Sequence, residues 1–328
     1  MKKNQNKRNS AIQILRIIAC LLVFIVHFGQ RTKIGGNLRL ITDFGKYGVQ
    51  LFFIISGLLA AMGLQKQEKI SKYYKKRIIN ILPLYYIVLL WYFITETILN
   101  KHFYHIPTDV NGLGWFRYIF LLNGFIPNNT YFWSNLGITW TIPIFAFFYL
   151  IIPFIIKIIK NYKFSFIIMI LSFLLSTKLN SIYPCVIFGN ISYFFIGVFI
   201  YYCWKENKLR FCSLFFLIIS ILFAILGKIN YYFIFAVIIS ILLEKEITLS
   251  KVVQKIIDKV DGYTYTLYLV HGIVFCSLID KLPTFQVKFS NFTIGVIAIV
   301  LSFFGTVIVH DFIERPIQKF LTKKIIDK

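Results

Sequence analysis

Apolar residues in this chain come in long unbroken runs, not in alternation with polar ones. Ten runs approach or reach the roughly 20 residues a helix needs to cross the hydrocarbon core of a bilayer. They are 11–30, 48–65, 81–98, 138–156, 164–177, 184–203, 211–227, 230–243, 264–280 and 291–313, of which 164–177 and 230–243 are short. The pattern predicts an all-α integral membrane protein with about ten transmembrane helices. A transmembrane barrel would need alternating segments and is excluded. The stretch 115–125 (WFRYIFLLNGF) is also apolar, but Arg117 interrupts it and PNN follows, which predicts an interfacial or re-entrant segment. There is no internal repeat and no linker, so the expectation is one membrane domain over 1–328 with no soluble domain appended.

Composition agrees: of 328 residues 58% are hydrophobic and 15% charged, where a soluble domain is about half apolar and a quarter charged. The net charge of +23 would suggest nucleic acid in a soluble protein, so the position of the charges decides. With ten spans and a cytoplasmic N-terminus, the inside segments carry 25 Lys and Arg and the outside segments 10. This bias obeys the positive-inside rule and predicts that both termini are cytoplasmic, with no nucleic-acid partner. The 31–47 loop, with four cations, fits least well. The first span ends IVHFGQRTK without a small-residue cleavage site, so it reads as a retained helix and not a signal peptide. The five cysteines show no CxxC spacing, and no His or carboxylate set completes a metal site. Abundant Ile, Lys, Asn, Phe and Tyr point to an AT-rich bacterial genome, hence to a bacterial inner or plasma membrane.

Ionisable groups inside a span cost about 2.5–3.5 kcal/mol at the helix centre, and each is therefore a functional candidate. The first span holds two, Arg16 and His27. Eleven residues at 100° each bring them within about 20° of one helix face, about 16 Å apart along the axis. Arg16 can alternatively snorkel to lipid phosphates and His27 can be a packing residue. Gln50 lies a few residues inside the outer end of the second span, at a depth expected to match His27. Ser56 and Gly57 follow near mid-membrane, where Gly57 reads as a helix-packing position. The 66–80 segment holds six cations, among them Arg77, and either anchors topology or grips an anionic cytosolic ligand. Trp140 and Tyr149 belong to the fourth span and His271 to the ninth. His310, Asp311, Glu314 and Arg315 gather where the tenth ends, in the pattern of a structural ion pair capping a helix. The exterior stretch 99–137 carries His102, His105, Trp115, Tyr131 and Trp133, rings of a kind that pack on sugars.

In this order, these pieces resemble the acyltransferase-3 family of multi-span membrane acyltransferases, over nearly the whole chain. LRIIACLLVFIVH matches its basic-x10-His pattern through Arg16 and His27. GVQLFFIISGLL resembles G-V-D-L-F-F-x-x-S-G, and YYKKRIINILPLYY resembles the basic-R-x-x-R-I-x-P-x-Y motif. TWTIPIFAFFYLIIP, YTYTLYLVHG and IERP resemble three further motifs. Two positions depart: Gln50 stands where the family usually has Asp, and Phe145 where it often has Glu.

The resemblance implies transfer of an acyl group, acetyl before others, from cytosolic acyl-CoA to a hydroxyl of a cell-envelope or exported carbohydrate or of a lipid-linked glycan. Acyl-CoA is then a donor substrate and no cofactor is resident. The catalytic candidates are His27, as base or nucleophile, and Arg16, as electrostatic partner. Arg77 and Arg16 are candidates for binding acyl-CoA. Gln50, Ser56, Trp140, Tyr149, His271 and Glu314 are candidates for supporting or acceptor-binding roles. The rival reading, a transporter or flippase for a polysaccharide or lipid-linked sugar, lacks the repeated halves and broken helices common in transporters.

Overall fold

A computed structural model describes residues 9–32, 38–65, 69–94, 113–126, 137–245, 247–278 and 290–326. His102, His105, Tyr131 and Trp133 lie outside them. Among the described residues the fold is all-helical. The helices are α1 (Ser10–Thr32), α2 (Leu38–Phe44), α3 (Gly48–Gln65), α4 (Ile70–Phe93), α5 (Leu113–Ile119), α6 (Thr141–Ile158) and α7 (Tyr162–Ile182), then α8 (Val186–Lys205), α9 (Leu209–Ile225), α10 (Tyr231–Lys245), α11 (Lys251–Gly272), α12 (Asn291–Val309) and α13 (Arg315–Ile325). Among the described residues, helix runs through each of the ten apolar stretches. Seven helical segments are long and apolar enough to cross a membrane, so the protein is a multi-pass membrane protein. The other three stretches fall short in different ways. Helix α9 has 17 residues and α10 has 15, while the first half of α11 is strongly polar.

Two helices begin well before the apolar runs that announce them. Helix α4 starts at Ile70 instead of about 81, and α11 at Lys251 instead of about 264. In both, the extra turns are polar but have partners. Tyr73 and Arg77 stack on one face of α4, and the first turns of α11 pair with polar residues of α1. Ser250 caps α11 by accepting the Val253 N–H, and Asn161 caps α7 in the same way from Phe164. The 115–125 segment forms α5 and a short 3-10 turn, joined through Leu121 at positive φ. It is tied down where Tyr85 Oη donates to the Tyr118 carbonyl.

Helices α3 and α8 cross at two glycines. A Cβ on Gly57 would lie 1.9 Å from the Phe194 carbonyl oxygen, and one on Gly197 would lie 1.8 Å from that of Ile54. No other residue permits this approach, so Gly57 is a packing position, as the small-residue pattern implied. Phe53, Phe148 and Phe194 stack around the crossing, with centroids 4.7 and 4.2 Å from Phe194.

Helices α1 and α11 run parallel in nearly constant register. Ser10 Oγ donates to Gln254, Gln13 Nε2 to Asp258, and Arg16 pairs with Asp261. Further along, Cys20 Sγ contacts the Thr264 carbonyl and the His27 ring meets His271. Helix α12 packs antiparallel on α11, with Gly305 near Val270 and Asp311 bonded to Tyr263.

Candidate active site

Helices α1, α3, α4, α6, α11 and α13, with the π-helical turn His310–Glu314 that precedes α13, line a cavity of about 440 Å³. Its lining on α3 runs from Val49 to Leu59, about 15 Å at 1.5 Å per residue. The cavity is therefore a narrow slot. Five of the candidate residues line it: Arg16, Ser56, Arg77, Tyr149 and Glu314.

Two of the slot's charges come as pairs. Arg16 lies 3.3 Å from Asp261 and donates to Thr264 Oγ1 at 3.4 Å, so Arg16 does not snorkel to lipid but is oriented by a carboxylate on α11. Glu314 sits 2.8 Å from His310 Nδ1, accepts from the Thr266 hydroxyl, and receives Gln318 Nε2 at 3.0 Å. Arg77 differs, since among the described residues no carboxylate lies within ion-pair distance of it. Its guanidinium lies instead over Tyr149 and Tyr73, 4.4 and 5.2 Å from the ring centroids. Such stacking holds the side chain while leaving its positive charge uncompensated.

His27 and His271 are brought together outside the slot's lining, with ring centroids 5.4 Å apart. His271 is 1% exposed. Its Nδ1 donates to the Leu267 carbonyl at 2.8 Å, because a carbonyl can only accept. In the neutral ring Nε2 then carries a lone pair, and it is buried with no hydrogen-bond partner among the described residues. Tyr268 joins the two regions. It lines the slot, bonds Thr141 Oγ1 at 2.8 Å, and stacks edge-on against His271 at 5.7 Å.

Gln50 is not level with His27. Gly45 and Gly48 pack on Leu22–Val26 and Ala19–Val23, so Gln50, further along α3, lies on the Ala19 side. Its Oε1 is buried and unbonded. Trp140 ends the 3-10 turn before α6 and is half-buried outside the slot lining. Phe145 fills the wall between Tyr149 and Phe53, with an aromatic ring where the family often carries a carboxylate.

Sequence reasoning missed Asp261, Thr264, Tyr265, Tyr268 and Gln318. Helical spacing was the available signal: Asp261, Thr264 and Tyr268 lie on one face of α11, but nothing local marked that face as lining a cavity. His310 was noticed only as part of a helix cap.

A slot lined by paired charges thus lies within a multi-pass helical bundle, with a histidine couple outside its lining. The chain belongs to the acyltransferase-3 family: residues 9–311 of 328 match that family's model of an acyltransferase domain. The protein is thus a membrane acyltransferase. Comparison with curated proteins and with solved structures returned no match.

Proposed function

We propose that the protein transfers an acyl group, acetyl before others, from cytosolic acyl-CoA to a hydroxyl of a cell-envelope or exported carbohydrate. The observation that carries this reading is the slot itself. Along about 15 Å it presents Arg77, available to phosphate, at one part and Tyr268, beside the histidine couple, at another. Arg grips phosphate through two parallel hydrogen bonds, which favours Arg77 over the already paired Arg16. Arg16, held beside Asp261, adds positive charge to the part of the slot that takes the donor. His27 takes the proton of the attacking hydroxyl, or accepts the acyl group first. His271, with its tautomer set by Leu267, supports the His27 ring.

Ten spans with both termini cytoplasmic suit this chemistry, because the donor is cytosolic and the acceptor is outside or lipid-linked. The parallel course of α1 and α11 supports that path, since a chain crossing at each of the ten stretches returns in the starting direction at its ninth. The resulting setting is a bacterial inner or plasma membrane. A cysteine placed in 66–80 should be shielded from an impermeant reagent in intact cells, and one in 99–137 should react. Labelling at 66–80 would overturn the topology.

Radiolabelled acetyl-CoA, supplied to membranes together with extracted envelope carbohydrate, tests the activity. Label should enter the carbohydrate with the wild-type protein and not with His27→Ala. Equal incorporation by the two would defeat the assignment of His27, and no incorporation by either would defeat the choice of substrates.

A further inference from the structure

The slot contains an imidazole to which the reading above gives no task. His310 opens a π-helical turn, His310–Glu314, between α12 and α13, and such turns are frequent at functional sites. Its Nδ1 faces Glu314 at 2.8 Å, and Glu314, 4% exposed, is also bonded by Thr266 and Gln318. A carboxylate held by three donors is an acceptor only, so the Nδ1 proton is committed to it. Proton traffic is thereby confined to Nε2. That atom lies toward Gly262, where a Cβ would stand 3.9 Å away, and both His310 and Gly262 line the slot. The Tyr263 ring meets the imidazole edge-on at 4.7 Å and locks its plane. An oriented imidazole with a carboxylate on one nitrogen and a cavity at the other is the geometry of an acid–base group.

We propose that His310 is a catalytic residue for the donor half of the transfer. Its Nε2 protonates the coenzyme A thiolate as the thioester carbon–sulfur bond breaks, while Glu314 is the positioning residue that holds the ring. The inference rests on the acyl-CoA reading above. The electron pair of the broken bond stays on sulfur and takes the Nε2 proton of the imidazolium. The neutral ring recovers a proton from solvent. His27 takes the proton lost by the acceptor hydroxyl and returns it to solvent, so that thioester plus hydroxyl becomes ester plus thiol with no net proton change.

The test is thiol release from acetyl-CoA by the full-length protein in its membranes, with carbohydrate acceptor present. His310→Asn keeps an N–H donor close to where Nδ1 stands, and with it the bond to Glu314, but has no atom at Nε2. It should lower kcat about 10²–10⁴-fold, with the donor KM within about threefold and the unfolding temperature unchanged. In His310→Ala, added imidazole should restore part of the lost rate, because the slot has room for it. Near-normal turnover by His310→Asn would return His310 to a helix-capping role, and so would a loss in His310→Ala that imidazole fails to relieve. Absence of thiol release by the wild type would sink the acyl-CoA reading and this proposal with it. Wild-type activity that His27→Ala abolishes and His310→Asn retains would sink this proposal alone.

Discussion

The two sides of the bundle are held together by different means. Where α3 meets α8, glycines and stacked phenylalanines bring the backbones into direct contact, as the Gly197 to Ile54 approach shows. Where α1 meets α11 and α12, a succession of hydrogen bonds runs from Ser10 to Arg16, and another joins Thr266, His310 and Glu314. Lipid is as apolar as leucine, so helices in a membrane adhere through close packing or hydrogen bonds. On the first side close packing dominates, and hydrogen bonds between the two helices gather at one end, where Gln65 meets Tyr202 and Lys205. The second side carries groups that are costly to bury: an arginine at about 2.5–3.5 kcal/mol, against interhelical hydrogen bonds averaging about 0.6 kcal/mol each. Stability alone does not account for that side, and the slot lies on it. Phe145 marks the boundary, stacked on Tyr149 and edge-on to Phe194 yet lining the cavity.

The sharpest way to break this contrast is to alter each side and read both stability and rate. His27→Ala should reduce acyl transfer about 10²–10⁴-fold, the range for loss of a general base. Its unfolding temperature in detergent should match the wild type, and a matching fall in stability would place His27 among the packing residues. Gly197→Ala should do the opposite. Its new methyl must push the Ile54 backbone away, at a cost of about 1–3 kcal/mol or more. Thermal unfolding should register this, while activity per folded molecule stays near normal. Retained stability would mean that the crossing is slack.

A smaller effect should appear within the polar side. Arg77→Gln removes the stacked cation and should raise the donor KM about tenfold, or about 1.4 kcal/mol, with little change in acceptor use. An unchanged donor KM would reduce Arg77 to a topology anchor beside its lysine neighbours.

The sequence by itself determined the class of the fold, because long apolar runs have few other outcomes in water and lipid. It also placed Arg16 and His27 on one stripe, since helical periodicity is local, and both meet α11, at Asp261 and His271. The motif order was enough to identify the family over nearly its full extent. Helix starts were misread wherever polar turns preceded the apolar run, at Ile70 and Lys251, because the partners stabilising those turns lie far away in the chain. Only the tertiary structure decided that a residue of α1 faces one about 244 positions later. It alone lowered Gln50 away from His27, gave Arg16 its carboxylate, and turned the His310–Glu314 helix cap toward a cavity. Periodicity tells which face of a helix is polar. Which other helix covers that face depends on how all the helices pack at once, and local pattern carries no information about that.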